Sequence, residues 1–269
     1  MGTGNAIWAF LLTLVAGLST GIGSLFVLLW KKTNAKILSV MLGLSAGVMI
    51  YVSFVDIFPS GQELLISEFG KKAGSWITAA SFFGGMLLIG VIDKLIPSKE
   101  NPHESRSIEK INSCGFGTNS GLIRTGMLTA IAIAVHNFPE GIATFTAALH
   151  DRTIGIPIAI AIALHNIPEG ISVAIPVYCA TGNRKKAFMW SFLSGLSEPA
   201  GALIAFLILM PFLNNVVFGI LLTSVAGIMV YISMDELLPT AEEYGEHHLA
   251  IAGLIAGMVL MALSILVLT

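Results

Sequence analysis

Five long stretches of the chain contain no Asp, Glu, Lys or Arg, and these stretches limit most strongly what the chain can fold into. They cover residues 1–30, 37–55, 73–92, 199–234 and 249–269. A helix needs about 20 mainly apolar residues to cross the hydrocarbon core of a bilayer. The chain is 55% apolar and 11% charged, whereas soluble domains carry about 25% charged residues. The sequence therefore excludes a soluble enzyme and predicts an all-α integral membrane protein.

Turn residues and charges divide the chain into eight expected transmembrane helices. Their expected limits are 6–30, 36–58, 73–95, 121–149, 154–180, 187–210, 215–238 and 248–268. The uncharged run 199–234 is too long for one crossing, and Pro211 with Asn214 divides it. The polar stretch 97–120 is rich in Ser, Asn and Gly, which indicates a mobile loop and not a second folded domain. Residues 1–269 are therefore expected to form a single transmembrane domain.

The basic residues orient these spans. Eleven of the 14 Lys and Arg residues follow odd-numbered spans, and only Lys71, Lys72 and Arg152 follow even-numbered ones. Because loops rich in Lys and Arg stay in the cytoplasm, the loop 97–120 is expected to be cytoplasmic and both termini to lie outside. We expect a multi-pass protein of the cell (inner) membrane, in contact with the lipid bilayer. A net charge of −2 and the lack of an Arg/Lys stripe beside aromatic residues predict no binding of nucleic acid.

Two nearly identical hexapeptides lie near the centres of spans 4 and 5. Residues 136–141 read HNFPEG and residues 165–170 read HNIPEG. The two spans are expected to run antiparallel, so the repeat is inverted, and in transporters with inverted repeats the substrate sites lie at the repeat interface. Within each copy, the His and the Glu stand four residues apart and therefore share one helix face. The motif pair predicts polar groups converging at the membrane midplane.

The chemistry of these groups indicates a metal site. Ionisable side chains inside a membrane span are costly, and they are usually functional. Imidazole, amide oxygen and carboxylate suit zinc and related first-row divalent cations. Glu198, in span 6, adds a third carboxylate. No Lys or Arg lies near the centre of these spans to balance the negative charges, whereas a divalent cation or protonation would balance them. One such His or Glu would fit ordinary helix packing, whereas the inverted pair favours metal binding. The only cysteines, Cys114 and Cys179, exclude a disulfide framework and a Cys-based zinc site.

Over its whole length the chain resembles the ZIP (Zrt-, Irt-like) family of metal transporters, on the evidence of both hexapeptides and the Glu198-Pro199 pair. The resemblance implies eight transmembrane helices with an inverted-repeat architecture and a binuclear metal centre. One position would be formed by His136, Glu140, His165 and Glu169, and the other by Asn137, Glu140, Asn166, Glu169 and Glu198, with both glutamates bridging. It also implies a metal pathway through Asp56 on the outer side and Asp93, Asp235 and Glu236 toward the cytoplasm.

The function implied by the resemblance is the uptake of divalent metal ions, with Zn2+ first and Fe2+, Mn2+, Co2+ and Cd2+ as related cargo. The protein is then no enzyme and needs no catalytic cofactor. The second hexapeptide carries Asn166, where some relatives carry Asp, so the second metal position is expected to bind more weakly or to favour another metal.

Several alternatives stay open at this stage. A membrane-bound di-iron carboxylate enzyme would use Glu-x-x-His pairs, whereas this chain has His-x-x-x-Glu. A metal-selective channel cannot be told from a carrier by sequence, and a homodimer is neither indicated nor excluded. His247 and His248, with nearby glutamates, favour a solvated loop over a weak cytoplasmic metal site. Gly43 and Gly47 indicate a close helix-packing face, and the many other glycines predict helices that slide past one another.

Overall fold

The computed structural model describes residues 3–29, 35–95, 120–244 and 247–268, and all regular structure in these ranges is helical. The helices are α1 Thr3–Leu29, α2 Ala35–Val52, α3 Phe58–Leu95, α4 Ser120–His150, α5 Arg152–Thr181, α6 Arg184–Gly195, α7 Ser197–Ile204, α8 Asn215–Ile232, α9 Leu238–Tyr244 and α10 His247–Leu268. Wider π-helical turns cover Ser53–Ile57, Ala205–Leu209 and Ser233–Leu237, and a 3-10 turn covers Met210–Phe212. The expected loop 97–120 lies outside the described residues except for Ser120.

Six helical stretches of the described chain are long and apolar enough to cross a membrane. They are Asn5–Leu25, Ser39–Lys94, Arg152–Ile175, Arg184–Phe212, Asn215–Glu242 and His247–Val267. The second stretch has 56 residues, far more than the roughly 20 that one crossing requires. Gly70, with φ 75° and ψ 164°, breaks it and divides α3 into helices 58–69 and 71–95. The prediction of an all-α, multi-pass membrane protein is confirmed at this level.

Three of the expected breaks are formed by capping residues. Asp151 caps α5 by accepting hydrogen bonds from the backbone N–H and the hydroxyl of Thr153, both at 2.8 Å. These bonds lower the pKa of the Asp151 carboxyl. Asn183 caps α6 and Asn214 caps α8 in the same way, with side-chain oxygens bonded to the N–H groups of Lys186 and Val217. Polar residues at these positions therefore end one helix and begin the next, as expected from the sequence.

The helix does not end at residue 58, the expected limit of the second span, but continues through Pro59 to Phe69. A proline inside an α-helix conflicts with the carbonyl four residues earlier, which for Pro59 is that of Val55. Val55 lies in the π turn Ser53–Ile57, where Phe58 donates to the Ser53 carbonyl five residues back. We attribute the continuous helix to this wider turn, which gives the proline ring space. Leu238 donates to Ser233 in the same way, just before Pro239.

The π turns Ser53–Ile57 and Ser233–Leu237 occupy equivalent places in an internal repeat with an offset of 180 residues. Residues 46–59 and 226–239 share Ala, Gly, Met, Tyr, Ser and Pro at corresponding positions. In this register the turn Ser53–Ile57 coincides with Ser233–Leu237, and Asp56 corresponds to Glu236. The hexapeptides do not reveal this repeat, whereas an alignment of the sequence with itself at an offset of 180 residues does.

The helices pack as two bundles. The site bundle contains α1, α4, α5, α6 and α7, and the second bundle contains the closely packed pairs α2–α10 and α3–α8, with α2 also packed against α5 of the site bundle. In the second bundle, the glycines of α2 and α10 lie against backbone carbonyls of the facing helix: Gly43 and Gly47 against Ala250 and Leu254, and Gly253 and Gly257 against Val40 and Leu44. The predicted packing face of Gly43 and Gly47 is confirmed.

The glycines do not form a sliding surface between the bundles. In the described residues, each glycine in close contact with another helix contacts a helix of its own bundle. In the site bundle, for example, Gly23 faces the Ile167 carbonyl and Gly170 faces that of Thr20. Contacts between the bundles are of another kind: the Ser45 hydroxyl donates to the His165 carbonyl at 3.3 Å, and the His150 ring lies 4.5 Å from the ring of Phe218. Glycines therefore allow the helices within each bundle to pack closely.

Candidate metal centre

Both hexapeptides lie within continuous helices, in the middle of α4 and α5. Six of the seven predicted metal ligands have described side chains, and all six are at most 1% exposed. They are Asn137, Glu140, His165, Asn166, Glu169 and Glu198. The side chain of the seventh, His136, lies outside the described part of the structure. The site bundle therefore encloses a polar centre in a chain whose other spans are largely apolar.

His165 and Glu140 bring the two hexapeptides together. The Nδ1 atom of His165 lies 3.1 Å from the Ala161 carbonyl oxygen, which can only accept, so Nδ1 carries a proton. In the neutral ring, Nε2 is then an acceptor, and it lies 3.2 Å from Oε2 of Glu140, which is another acceptor when ionised. A proton or a metal cation at this place resolves the conflict. Histidines that bind metals usually donate their other ring N–H to a carbonyl or carboxylate, as Nδ1 of His165 does here.

Glu198 reaches the centre from α7. The helices α4 and α7 meet closely, because a Cβ atom on Gly141 would lie 2.0 Å from the Glu198 carbonyl oxygen. The Nδ2 group of Asn166 donates to Oε1 of Glu198 and also, at 3.0 Å, to the Ala16 carbonyl of α1. Gly141, the glycine of the first motif, thus allows Glu198 to lie beside Asn166, the asparagine of the second motif.

Asn137 carries a buried amide that the described residues leave unsatisfied. Its side chain is fully buried, and neither Nδ2 nor Oδ1 has a hydrogen-bond partner among the described residues. Leaving a buried polar group unsatisfied costs about 1–3 kcal/mol. A bound cation or water would satisfy the amide oxygen, and amide oxygen, imidazole and carboxylate together form a donor set suited to divalent metals.

The described side chains form pairs and do not complete the predicted centre. No three His, Cys, Asp or Glu residues of the described part lie together as a metal-binding group. The ligand sets predicted above include His136, whose side chain is not described, and two asparagines. The assignment of two metal positions therefore stays a prediction.

The predicted pathway residues lie outside this centre. Asp56 is half-buried in the first π turn, and its Oδ2 atom is buried without a partner in the described residues. Asp93 is half-buried near the end of α3, and Asp235 is exposed and hydrogen-bonded to the Tyr231 hydroxyl. Glu236 is half-buried in the third π turn, at the position equivalent to Asp56. The 180-residue repeat thus relates Asp56 to Glu236, two acidic residues that occupy the same place in their π turns.

His247 lies away from this centre, at the start of α10. Its Nδ1 atom lies 2.7 Å from Oε1 of Glu242, and its ring lies 5.6 Å from that of His248. His247, His248 and Glu242 are largely exposed, as expected for a solvated junction between α9 and α10.

The family model described as ZIP Zinc transporter matches residues 92–265, which include both hexapeptides and Glu198. The chain belongs to the ZIP family. The family resemblance drawn from the two hexapeptides is therefore confirmed.

Bacterial proteins named Zinc transporter ZupT match this ZIP chain over almost its full length. The protein from Streptococcus mutans is 61% identical over 258 residues, which cover 96% of each chain. The protein from Clostridium perfringens is 58% identical, with 97% of this chain and 96% of the other covered. The protein from Chlorobium chlorochromatii is 56% identical, with 99% of this chain and 100% of the other covered. These names describe transporters and not enzymes.

Proposed function

We propose that this ZIP protein carries divalent metal ions, zinc first, across the cell (inner) membrane into the cytoplasm. The observation that carries the proposal is the buried contact between His165 Nε2 and Glu140 Oε2 at 3.2 Å. Three residues before Glu140, the fully buried amide of Asn137 has no hydrogen-bond partner among the described residues. Relatives 55–61% identical that are named zinc transporters support zinc as the main cargo. Fe2+, Mn2+, Co2+ and Cd2+ are further cargo, because the donor set also suits them.

Two metal positions share the glutamates of the hexapeptides in this proposal. His136, Glu140, His165 and Glu169 hold the first ion. Asn137, Asn166 and Glu198 complete the second position, with both glutamates bridging. The charge balance supports a cationic occupant, because the described residues of α4, α5 and α7 place three carboxylates at full burial without a Lys or Arg in the centre.

Eight membrane crossings in one domain accommodate this function. The break at Gly70 supports two crossings within the 56-residue stretch Ser39–Lys94, and α4, with 31 residues, is long enough for a further one. The 180-residue repeat relates spans 2 and 7, which run antiparallel among eight crossings, and therefore supports an inverted-repeat architecture. The excess of Lys and Arg after odd-numbered spans supports both termini outside. A metal ion then passes Asp56, reaches the centre and leaves past Asp93, Asp235 and Glu236. Alternating access uses the interface between the bundles, where no glycine of the described residues lies in close contact with a helix of the other bundle. A homodimer is compatible with this arrangement.

Uptake by the purified protein in proteoliposomes tests the function. We expect saturable zinc uptake, inhibited by the other divalent cations and faster when unlabelled zinc is present on the opposite side of the membrane. Such trans-stimulation requires a carrier that exposes its site to one side at a time, whereas a metal-selective channel gives flux without it. Absence of zinc uptake in vesicles that contain folded protein would contradict the proposal.

Labelling of single cysteines tests the orientation. In a chain whose native cysteines are replaced, Ser67→Cys is expected to react with a membrane-impermeant thiol reagent added to intact cells. Lys185→Cys is expected to react only after permeabilisation, because it follows an odd-numbered span. Both side chains are exposed in the structure, so reactivity reports the side of the membrane and not burial. The reverse pattern would invert the topology.

A further inference from the structure

The asparagines of the two hexapeptides have the same place in the motif but different contacts. Both side chains are fully buried. Asn166 donates from Nδ2 to the Ala16 carbonyl at 3.0 Å and to the Glu198 carboxylate, whereas neither amide atom of Asn137 has a partner among the described residues. The Oδ1 atom of each amide lacks a partner among the described residues, so both oxygens are available to an ion. Only the NH2 group of Asn166 holds neighbouring groups in place.

The orientation of the Asn166 amide follows from its neighbours. A backbone carbonyl oxygen and an ionised carboxylate can only accept hydrogen bonds, so the NH2 group must face both Ala16 and Glu198. With the amide reversed, Oδ1 would lie against two acceptors. Asn166 thus joins three helices of the site bundle: α5, which carries it, α1 through Ala16, and α7 through Glu198.

We infer that Asn166 is a positioning residue that fixes the carboxylate of Glu198 and fastens α5 to α1 and α7 before metal binds. The inference rests on the proposed function, in which Glu198 is a metal ligand. Hydrogen bonds to an ionised acceptor are stronger than neutral ones, so this bond holds Glu198 in place without a cation. Asn137 has no such bonds in the described structure.

The residue at position 166 then determines whether the second metal position is assembled before its ion binds. An aspartate there can donate to neither acceptor, and it would place a second carboxylate beside Glu198. Such a pair would be assembled only by a bound cation or a proton. With asparagine, the chain holds Glu198 by a hydrogen bond and gives up one negative charge at this position.

Two matched substitutions, Asn166→Asp and Asn137→Asp, test the inference in the purified full-length chain. Both add the same carboxylate to the same motif position, and thermal unfolding is measured without metal. We expect the midpoint for Asn166→Asp to lie roughly 5 °C or more below that for Asn137→Asp, because only Asn166 loses two buried hydrogen bonds. Equal midpoints for the two variants would overturn the inference.

A double variant keeps the test decisive if Asn166→Asp alone folds poorly. Combining Asn166→Asp with Glu198→Gln exchanges the donor and acceptor ends of the hydrogen bond and keeps the total charge. We expect it to recover at least about half of the lost midpoint, or to restore monodisperse protein, relative to Asn166→Asp alone. No recovery would contradict the positioning role. Because these measurements need neither metal nor transport, failure of the inference is distinct from absence of zinc uptake, which would contradict the proposed function.

Discussion

Replacing Glu140 or Glu169 by alanine is expected to reduce zinc uptake in proteoliposomes by roughly 100-fold or more. Loss of groups that only support metal ligands already costs about 10- to 100-fold, and these two glutamates are proposed to contact both ions. Glu140 also lies 3.2 Å from His165, so its loss removes the carboxylate that joins the two hexapeptides. Initial rates of uptake of labelled zinc, divided by the amount of folded protein in the vesicles, measure the effect.

Two further variants separate the charge from other effects of the substitution. Glu140→Gln keeps the size of the side chain and removes only its negative charge, and we expect nearly the same loss of uptake. Glu63→Ala makes the alanine substitution at an exposed glutamate of α3, and its uptake should match that of the unaltered chain. Normal uptake by Glu140→Ala or Glu169→Ala would rule out a shared, bridging role for that carboxylate.

Alanine at Gly85 is expected to destabilise the protein, while alanine at the adjacent Gly84 is not. A Cβ atom at Gly85 would lie 2.1 Å from the Ser224 carbonyl oxygen, so α3 and α8 would have to separate. Overpacking of this kind costs about 1–3 kcal/mol, and the thermal midpoint should fall by roughly 2–10 °C. Size-exclusion chromatography after heating the detergent-solubilised protein measures the midpoint.

Gly84 is the internal control for this experiment. A Cβ atom there would meet no heavy atom within 4 Å, and alanine has the higher helix propensity by about 1 kcal/mol. We therefore expect an unchanged or slightly higher midpoint for Gly84→Ala. A loss of stability as large as that at Gly85 would mean that the helix, and not its contact with α8, requires glycine.

The all-helical membrane fold and the burial of polar groups at its centre could be predicted from the sequence because both depend on local patterns. Long uncharged runs define membrane helices wherever they occur, since a bilayer excludes charge irrespective of the partner helix. The four-residue spacing of His165 and Glu169 places them on one face of any helix. The inverted hexapeptides predicted that polar groups meet at the midplane, and the structure brings Glu140 to His165.

The helix limits show where local patterns are insufficient. Pro59 resembles a helix break in the sequence, yet the π turn before it allows the helix to continue, and Gly70 forms the break instead. The sequence shows where the glycines are but not which helix each of them faces. Gly47, for example, lies against the carbonyl of Leu254.

The sequence by itself determined that this chain is a membrane protein of the ZIP family with a carboxylate, imidazole and amide centre. Only the tertiary structure decided the division into two bundles and the different contacts of Asn137 and Asn166. The reason is physical: composition and spacing fix which groups a helix carries and on which face. Whether an amide meets a carbonyl, a carboxylate or a metal ion depends on helices distant in the chain, here α1 and α7 packed against α5.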